Sequence, residues 1–435
     1  MKNTLRNAIT LGLLAMGGTA QADIVYSNFL NTTIPDTYGG TTATVGDGTL
    51  NLFFGGAGAA NNDKLQPFRT SSAQLGTMKT FALDDTSIGA GAGFLATGYG
   101  GSMDHVGSQF TAGTEAYAGF QLDGVNYGWM RVILTNNAGG AVVKDWAYDT
   151  SGAAIKTGLI KTDISGSGQT ITTLNPGASE SFTLGSTLAD ATGYTGSLLK
   201  TGAGNVVLTG FNTYTGPTTV NAGTLTLASG TSLANTSAVT VGAGATLTGA
   251  GTIHGAVIVN GGTLAPGASI ESLGTGALTL NDGSTFAYEM NSGAGSAVAA
   301  DFQEVFGALA LNGTVTLDLT NLAGPTGAFA VGTKLSLVKY AGLWDGGFFS
   351  YGSTLLTDGK VFRAGSNTWQ INYEALSGGL NFASEYSHLD GNFVTLTAIP
   401  EPGSWIALGC LVGSGMLRRQ RTQLRTVGRG TAGAA

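Results

Sequence analysis

The feature that most restricts the fold is a short unit that recurs along the middle of the chain. In each copy, a glycine-containing turn leads into a brief run of Thr, Leu or Val, as at Leu225, Leu247 and Leu264. The copies recur about every 20 residues, a period typical of solenoid proteins. Because one coil cannot bury its own apolar face, several coils must stack.

Stacking assigns an inward side to each copy. We expect Leu225, Leu247 and Leu264 to point inward and to lie above one another in a right-handed parallel β-solenoid, with coils about 4.8 Å apart. Glycines supply the positive-φ corners that such a coil requires. At about 20 residues per coil, residues 194–290 would form roughly five coils. An antiparallel sandwich would use the same turns and is the alternative.

The most regular copy is similar to a known repeat. The runs 199–210, 212–216 and 219–225 together closely resemble the autotransporter-associated β-strand repeat. Looser copies begin at Gly242, Asn260, Asn281 and Asn312. The resemblance implies a passenger-type region built from stacked β-coils.

The composition favours an all-β protein and argues against two other classes. Glycine accounts for 72 of the 435 residues, which suits short strands joined by tight turns. Hydrophobic residues make up 42% of the chain, so a buried core is expected and general disorder is not. Only 10% of residues are charged and the net charge is −7, so we expect no nucleic-acid partner.

The N-terminal segment predicts a signal peptide over residues 1–22. Lys2 and Arg6 precede a mostly apolar stretch, and Ala20 and Ala22 form the A-x-A pattern that signal peptidase cleaves. The apolar stretch is short for the hydrocarbon core of a membrane, which disfavours an uncleaved anchor. We therefore expect export through the Sec pathway and a mature chain that starts after Ala22.

Residues 398–421 combine three features in order: Pro400-Glu401-Pro402, the apolar run 405–417, and the basic cluster Arg418, Arg419 and Arg421. Their order and spacing resemble the PEP-CTERM sorting signal. The arginines favour the cytoplasmic side of a membrane. This run of 13 residues would span about 20 Å as a helix, which is less than the thickness of the hydrocarbon core.

A short span of this kind favours transient insertion into the inner membrane over a permanent anchor. The two prolines around Glu401 keep the backbone extended, the form that proteases generally bind. The resemblance implies that an exosortase, a membrane transpeptidase-like enzyme, processes this site. Residues 422–435 form an additional basic tail.

Between the two ends we expect four regions: a β-sandwich-like domain (23–160), a linker with weak strands (161–192), the solenoid (193–300) and a further β region (301–397). We expect short helices only in the N-terminal signal and the C-terminal sorting segment.

A β-hairpin is the clearest element of the first domain. Alternating residues over 116–135 flank the turn dipeptide Asp123-Gly124, and a further strand is predicted around Trp146. The pattern around Trp129 and Trp146 resembles an N-terminal β-domain of PEP-CTERM exported proteins. Trp129, Trp146 and Tyr148 are candidates for a sugar-stacking platform, but we favour a place for them in the core.

The sequence contains little that points to catalysis. His105, His254 and His388 lie far apart, and none has the spacing of a metal ligand. No complete hydrolase or nucleotide-binding motif is present. The carboxylates of the repeat region are Glu271, Asp282 and Glu289, for which turn or surface roles are favoured. We expect no catalytic residue, no metal, no cofactor and no enzyme activity.

Two function hypotheses follow. The first is an exported, exosortase-sorted structural or adhesive protein of the bacterial cell surface or exopolysaccharide matrix, with signal peptidase and exosortase as processing partners and exopolysaccharide as the candidate ligand. The alternative is an extracellular carbohydrate-binding or carbohydrate-active protein.

Overall fold

Every regular element in the part of the chain that the computed structural model describes is a β-strand. The described residues are 22–27, 31–34, 41–45, 48–54, 65–69, 75–81, 87–90, 95–96, 115–122, 125–134, 141–233, 238–267, 269–293, 299–379 and 390–401. The predicted all-β class is thus confirmed. The predicted terminal helices lie outside the described residues.

The chain divides into two units, residues 1–196 with 201–210 and residues 197–200 with 211–435. The strands up to residue 184 are β1 (Ala22–Tyr26), β2 (Thr32–Ile34), β3 (Thr41–Val45), β4 (Gly48–Phe54), β5 (Leu65–Arg69), β6 (Leu75–Phe81), β7 (Ser87–Ile88), β8 (Leu95–Ala96), β9 (Glu115–Leu122), β10 (Asn126–Leu134), β11 (Ala141–Asp149), β12 (Ile155–Lys156), β13 (Ile160–Gly166), β14 (Gln169–Leu174) and β15 (Ser181–Leu184).

The next strands are β16 (Thr195–Lys200), β17 (Asn205–Leu208), β18 (Phe211–Asn212), β19 (Thr218–Val220), β20 (Gly223–Leu227), β21 (Ser232–Leu233), β22 (Val239–Val241), β23 (Ala245–Gly249), β24 (Thr252–Ile253), β25 (Val257–Val259), β26 (Thr263–Pro266), β27 (Ser272–Thr275), β28 (Leu278–Leu280) and β29 (Thr285–Asn291). The last strands are β30 (Ala299–Ala300), β31 (Phe302–Val305), β32 (Leu309–Leu311), β33 (Val315–Asn321), β34 (Lys334–Tyr340), β35 (Phe349–Tyr351), β36 (Thr354–Leu355), β37 (Val361–Ala364), β38 (Asn367–Ser377) and β39 (Asp390–Ile399).

The first unit contains an antiparallel sheet built around the predicted hairpin. β10 pairs with β9 on one side and with β11 on the other, and β9 also pairs with β6. β1 lies between β11, to which it is antiparallel, and β15, to which it is parallel. The predicted hairpin and the predicted third strand are therefore both present.

Residues 161–192, which we expected to form a linker with weak strands, contribute three strands to this unit. β13 and β14 form an antiparallel pair, and β15 pairs in parallel with β17. In β14 the buried positions are Thr170, Thr172 and Leu174. Two of the three inward residues are threonines, so the strand has little of the hydrophobic alternation that marks a strand in a sequence.

The second unit contains the solenoid, in which successive coils contribute strands to three parallel sheets. The first sheet runs β16-β19-β22-β25-β28-β32, the second β20-β23-β26-β29-β33-β35, and the third β18-β21-β24-β27-β31-β34. The parallel pairing continues past residue 300, into the region that we had assigned to a separate C-terminal part. The predicted parallel solenoid is confirmed, and its right-handed sense stays a prediction.

The predicted inward stack is also confirmed. Leu225 pairs with Leu247, Leu247 with Leu264, and Leu264 with Phe286, and all four side chains are fully buried. Burial of each such side chain stabilises the fold by about 1.5–3 kcal/mol. Glycine is required where the corners are tight: Gly249 has φ +118°, and a Cβ there would collide with the Leu227 carbonyl of the coil below.

The parallel order of the third sheet ends at β34. β39 pairs with β34 in the antiparallel sense, and β38 and β37 follow in the order β34-β39-β38-β37. An antiparallel addition of this kind covers the strand edge on which a further parallel coil would otherwise be templated.

We expect Leu247→Ala to lower the free energy of unfolding by about 2–5 kcal/mol, because it opens a cavity in the middle of a closely packed stack. Thr246→Ala, on the outward side of the same strand, is the matched control and should change stability by much less. Urea unfolding of the purified mature chain measures both. Equal losses for the two variants would contradict the inward assignment of Leu247.

Candidate functional site: the outer faces of the solenoid

The corners between the first and second sheets carry a ladder of asparagine side chains. Asn281 Nδ2 donates to Asn260 Oδ1 at 2.6 Å, and Asn312 Nδ2 donates to Asn281 Oδ1 at 2.9 Å. The backbone N–H of each residue donates to a carbonyl of the preceding coil. The Asn-containing turns seen in the sequence therefore join successive coils, and this accounts for them without a ligand.

The outer face of the second sheet is a column of threonines in register. Its members are Thr224, Thr246, Thr263, Thr285 and Thr316. Their side chains are partly or fully exposed and lie about 4.8 Å apart along the column. This face presents hydroxyl and methyl groups to solvent, in keeping with the low charge of the chain.

The outer face of the third sheet carries two exposed aromatic rings. Phe211 is in register with Ser232, Ser232 with Thr252, and Thr252 with Gly274. Phe306 lies over Gly274, where an added Cβ would come within 3.2 Å of its ring. Phe211 is 67% exposed and Phe306 is 49% exposed. We call Phe211, Ser232, Thr252 and Phe306 the aromatic row.

Two carboxylates of the repeat region, those of Asp301 and Asp282, accept hydrogen bonds from backbone N–H groups. Asp301 is almost fully buried, and its oxygens accept hydrogen bonds from the N–H groups of Glu289 (2.8 Å) and Glu271 (3.3 Å). Asp282 Oδ1 accepts from the N–H of Thr314 at an exposed turn (2.7 Å). Burial raises the pKa of Asp301 to about 8; Glu289 and Glu271 add to the shift, and the two hydrogen bonds oppose it.

The first unit has a buried ion pair that the sequence did not reveal. Arg131 donates from Nε to Asp145 Oδ1 at 2.9 Å and from Nη2 to Oδ2 at 2.6 Å, and both side chains are fully buried. The Tyr26 hydroxyl donates to the same carboxylate at 2.8 Å. Burial lowers the pKa of Arg131, but Asp145 more than offsets this, so the pKa lies above its ordinary value.

The partly exposed Glu115 and Asp163 also contact the Arg131 guanidinium, at 3.1 and 2.8 Å, and both bind Lys144. A charged Arg in the middle of an apolar strand was the available signal for this cluster. It links β9, β10, β11 and β13, so its evident role is to hold this unit together.

Trp129 and Trp146 are core residues, as we favoured. Trp129 is fully buried and packs edge-on against Tyr117, with ring centroids 5.4 Å apart. Trp146 is buried and stacks on the partly exposed Tyr148 at 5.9 Å. They do not form an open platform for a sugar, and the exposed rings of the aromatic row were missed because their alignment depends on the register between coils.

A cavity of about 300 Å³ lies near the last coil, lined in part by Phe329, Asn367 and Trp369. Asn367 Oδ1 accepts from the N–H of Phe329 at 2.8 Å, and its Nδ2 donates to the carbonyl of Phe329 at 2.9 Å. Both polar atoms of this amide are therefore used to hold the backbone of Phe329 in the cavity wall.

The structure describes only part of the predicted processing sites. Ala22 begins β1, and Pro400 and Glu401 directly follow β39, where Glu401 lies 3.3 Å from Arg363 in an exposed ion pair. The remaining sorting and cleavage residues, Ala20, Pro402, Arg418, Arg419 and Arg421, lie outside the described residues.

The described residues contain no group of His, Cys, Asp and Glu side chains with the geometry of a metal site. His254 is exposed, and His105 and His388 lie outside those residues. In the same described part of the chain, we find no helix with the length and apolar character to cross a membrane.

Comparison with known families gives one match. The model of the passenger-associated transport repeat matches residues 198–227, which run from within β16 to the end of β20. No curated protein matches the chain. The match supports the autotransporter-associated repeat predicted from residues 199–225, and with it an exported, passenger-type surface protein. The matched segment is one part of the solenoid, and it includes strands of all three parallel sheets.

We expect Arg131→Met to lower the free energy of unfolding by about 3–5 kcal/mol, because it leaves the Asp145 carboxylate buried without its cation. The double variant Arg131→Met/Asp145→Leu should recover much of the loss, since both buried charges are then gone. Denaturant unfolding of the two variants measures the difference. A double variant as unstable as the single one would argue against the ion pair as the cause.

Asp301 should make stability fall as the pH rises. Its pKa is about 8 in the folded chain and about 3.9 when unfolded, so its contribution is full below about pH 4 and is lost as the pH rises through about 8. Asp301→Asn should flatten the change in unfolding free energy between about pH 5 and 8.5 relative to the parent chain, as denaturant unfolding at each pH measures. An unchanged slope in Asp301→Asn would contradict this assignment.

Proposed function

We propose that this chain is a structural or adhesive protein of the bacterial cell surface or its exopolysaccharide matrix, delivered by the Sec pathway and finished by an exosortase. The observation that carries the proposal is the match of residues 198–227 to a passenger repeat that folds here as a coil of a parallel solenoid. Such a solenoid is a stiff spacer, because every coil is hydrogen-bonded to its neighbours along the whole stack.

The outer faces suit this role. The threonine column, together with Ser232 and Thr252 of the aromatic row, presents uncharged polar groups, which remain hydrated without attracting ions or nucleic acids. The carboxylates Asp282 and Asp301 accept hydrogen bonds from backbone N–H groups of the solenoid. We therefore favour a role in structure or adhesion over an enzymatic one.

Signal peptidase would act at the start of β1, directly after its first residue. β1 starts at Ala22, and Ile24 pairs with both Asp149 and Leu184. A cut after Ala22 leaves residues 23–26 available for these pairings. The predicted signal peptide is therefore compatible with the arrangement of β1 in the folded unit.

An exosortase would act just after the last strand. Pro400 and Glu401 follow β39, so the predicted Pro-Glu-Pro junction separates the folded C-terminal sheet from the apolar run 405–417. The run and the basic cluster behind it would hold the chain briefly in the inner membrane. Cleavage would then release the folded protein to the surface.

The basic cluster provides the test. We expect replacement of Arg418, Arg419 and Arg421 by Gln to abolish processing in a host that carries an exosortase, because the arginines no longer retain the tail on the cytoplasmic side. Intact-mass analysis of fractionated cells should show the uncut C-terminal segment on the variant.

The matched control is Arg425→Gln/Arg429→Gln in the tail beyond the cluster, which should be processed and displayed like the parent. The proposal fails if the cluster variant reaches the surface with the same mature mass as the parent, or if the parent itself is recovered from the cytosol with both termini uncut.

A further inference from the structure

Two exposed aromatic rings lie on one face of the third sheet and belong to the same outward-facing row. Isolated exposed hydrophobic side chains are common on proteins and need no explanation. Phe211 and Phe306, however, belong to a single outward row, and the positions between them carry Ser232 and Thr252.

The register fixes the distance between the two rings. Phe211 is on β18, and Phe306 covers Gly274 on β27, so three strand spacings separate them. At about 4.8 Å for each spacing, the rings lie roughly 14 Å apart along the coil axis. One strand spacing is close to the length of one hexose unit in an extended glycan, so a glycan of about four units reaches both rings.

The position of the Phe306 ring is built into the sheet. A Cβ at Gly274 would come within 3.2 Å of two atoms of the ring, so the absence of a side chain there makes room for it. The backbone N–H of Phe306 donates to the carbonyl of Thr275 at 2.8 Å, which ties the residue to the same coil. A ring that is held in place before binding loses little conformational freedom when a ligand packs on it.

The lack of unpaired charge on this face indicates that its ligand is uncharged. None of the four residues of the aromatic row is charged, and Gly274 adds no side chain. On the next strands of the same face, Glu304 and Lys339 neutralise each other in an ion pair of 3.0 Å. An anionic polysaccharide would find no unpaired cation along this row.

We propose that the aromatic row binds an extended, uncharged polysaccharide along the coil axis, with Phe211 and Phe306 stacking on sugar rings and the hydroxyls of Ser232 and Thr252 facing the units between them. This deepens the proposed function, on which its biological setting rests, by naming the adhesive face and the ligand class. A second copy of the chain fits less well, because the hydroxyls interrupt the apolar area that a stable protein interface buries at its centre.

Titration calorimetry of the purified mature chain tests the proposal with uncharged hexasaccharides: β-1,4-glucan, β-1,3-glucan, α-1,4-glucan and β-1,4-mannan, with an alginate hexamer as the charged comparison. We expect at least one uncharged hexasaccharide to bind and alginate not to bind. Disaccharides of the same linkage reach only one ring, so they should bind several-fold more weakly.

Variants locate the binding. Phe211→Ala and Phe306→Ala should each weaken binding up to about tenfold, and together abolish it, while Phe211→Tyr keeps an aromatic ring and should retain most of the affinity. Leu343→Ala, at an exposed apolar residue away from the row, is the matched control and should have no effect. Circular dichroism should show the parent fold in every variant.

Three results would overturn the proposal: no binding of any uncharged hexasaccharide by the parent, parent-like binding by the double variant, or a parent dimer in analytical ultracentrifugation that the double variant loses. The third result would assign the row to a second copy of the chain. None of these results depends on processing, because the purified mature chain is used. A sorting defect with intact glycan binding would reject the exosortase route alone.

Discussion

The register between coils is the constraint on which the solenoid depends. Parallel pairing of Leu225 with Leu247 and of Leu247 with Leu264 places each apolar side chain directly on the previous one. A slip of one residue would turn every inward side chain outward, so the buried stack and the hydrogen-bond ladder enforce the same alignment. That alignment also sets the outer faces, because the threonine column and the aromatic row are the other half of the same alternation.

The interior of the solenoid could be predicted from the sequence because its signals are local. A glycine turn followed by Thr-Leu is sufficient to identify Leu225, Leu247 and Leu264 as inward residues. The aromatic row could not be found in this way, since Phe211 and Phe306 are 95 positions apart and meet on one face only through the pairing of the three intervening strands β21, β24 and β27. β14 was underestimated for a different reason: Thr170 and Thr172 fill inward positions that usually carry larger apolar side chains.

The two units rely on different means of stabilisation. The first unit buries the ion pair of Arg131 and Asp145, whose contribution to stability depends on complete hydrogen bonding of both groups. The solenoid is built around a stack of fully buried apolar side chains such as Leu225, Leu247 and Leu264, and its coils are also joined by the Asn260–Asn281–Asn312 ladder. The side chains on its outer faces can therefore vary from coil to coil without disturbing this stack.

The placement of β1 has a consequence for the order of events during export. β1 needs both β11 and β15 as neighbours, and the N–H of Tyr26 donates to the hydroxyl of Ser186, 160 positions later in the chain. A strand that emerges first on the far side of a membrane would wait, unpaired, until all of that intervening chain has crossed. If the chain is exported by the proposed Sec route, this unit would therefore close late, and the polypeptide would stay unfolded while it crosses the membrane.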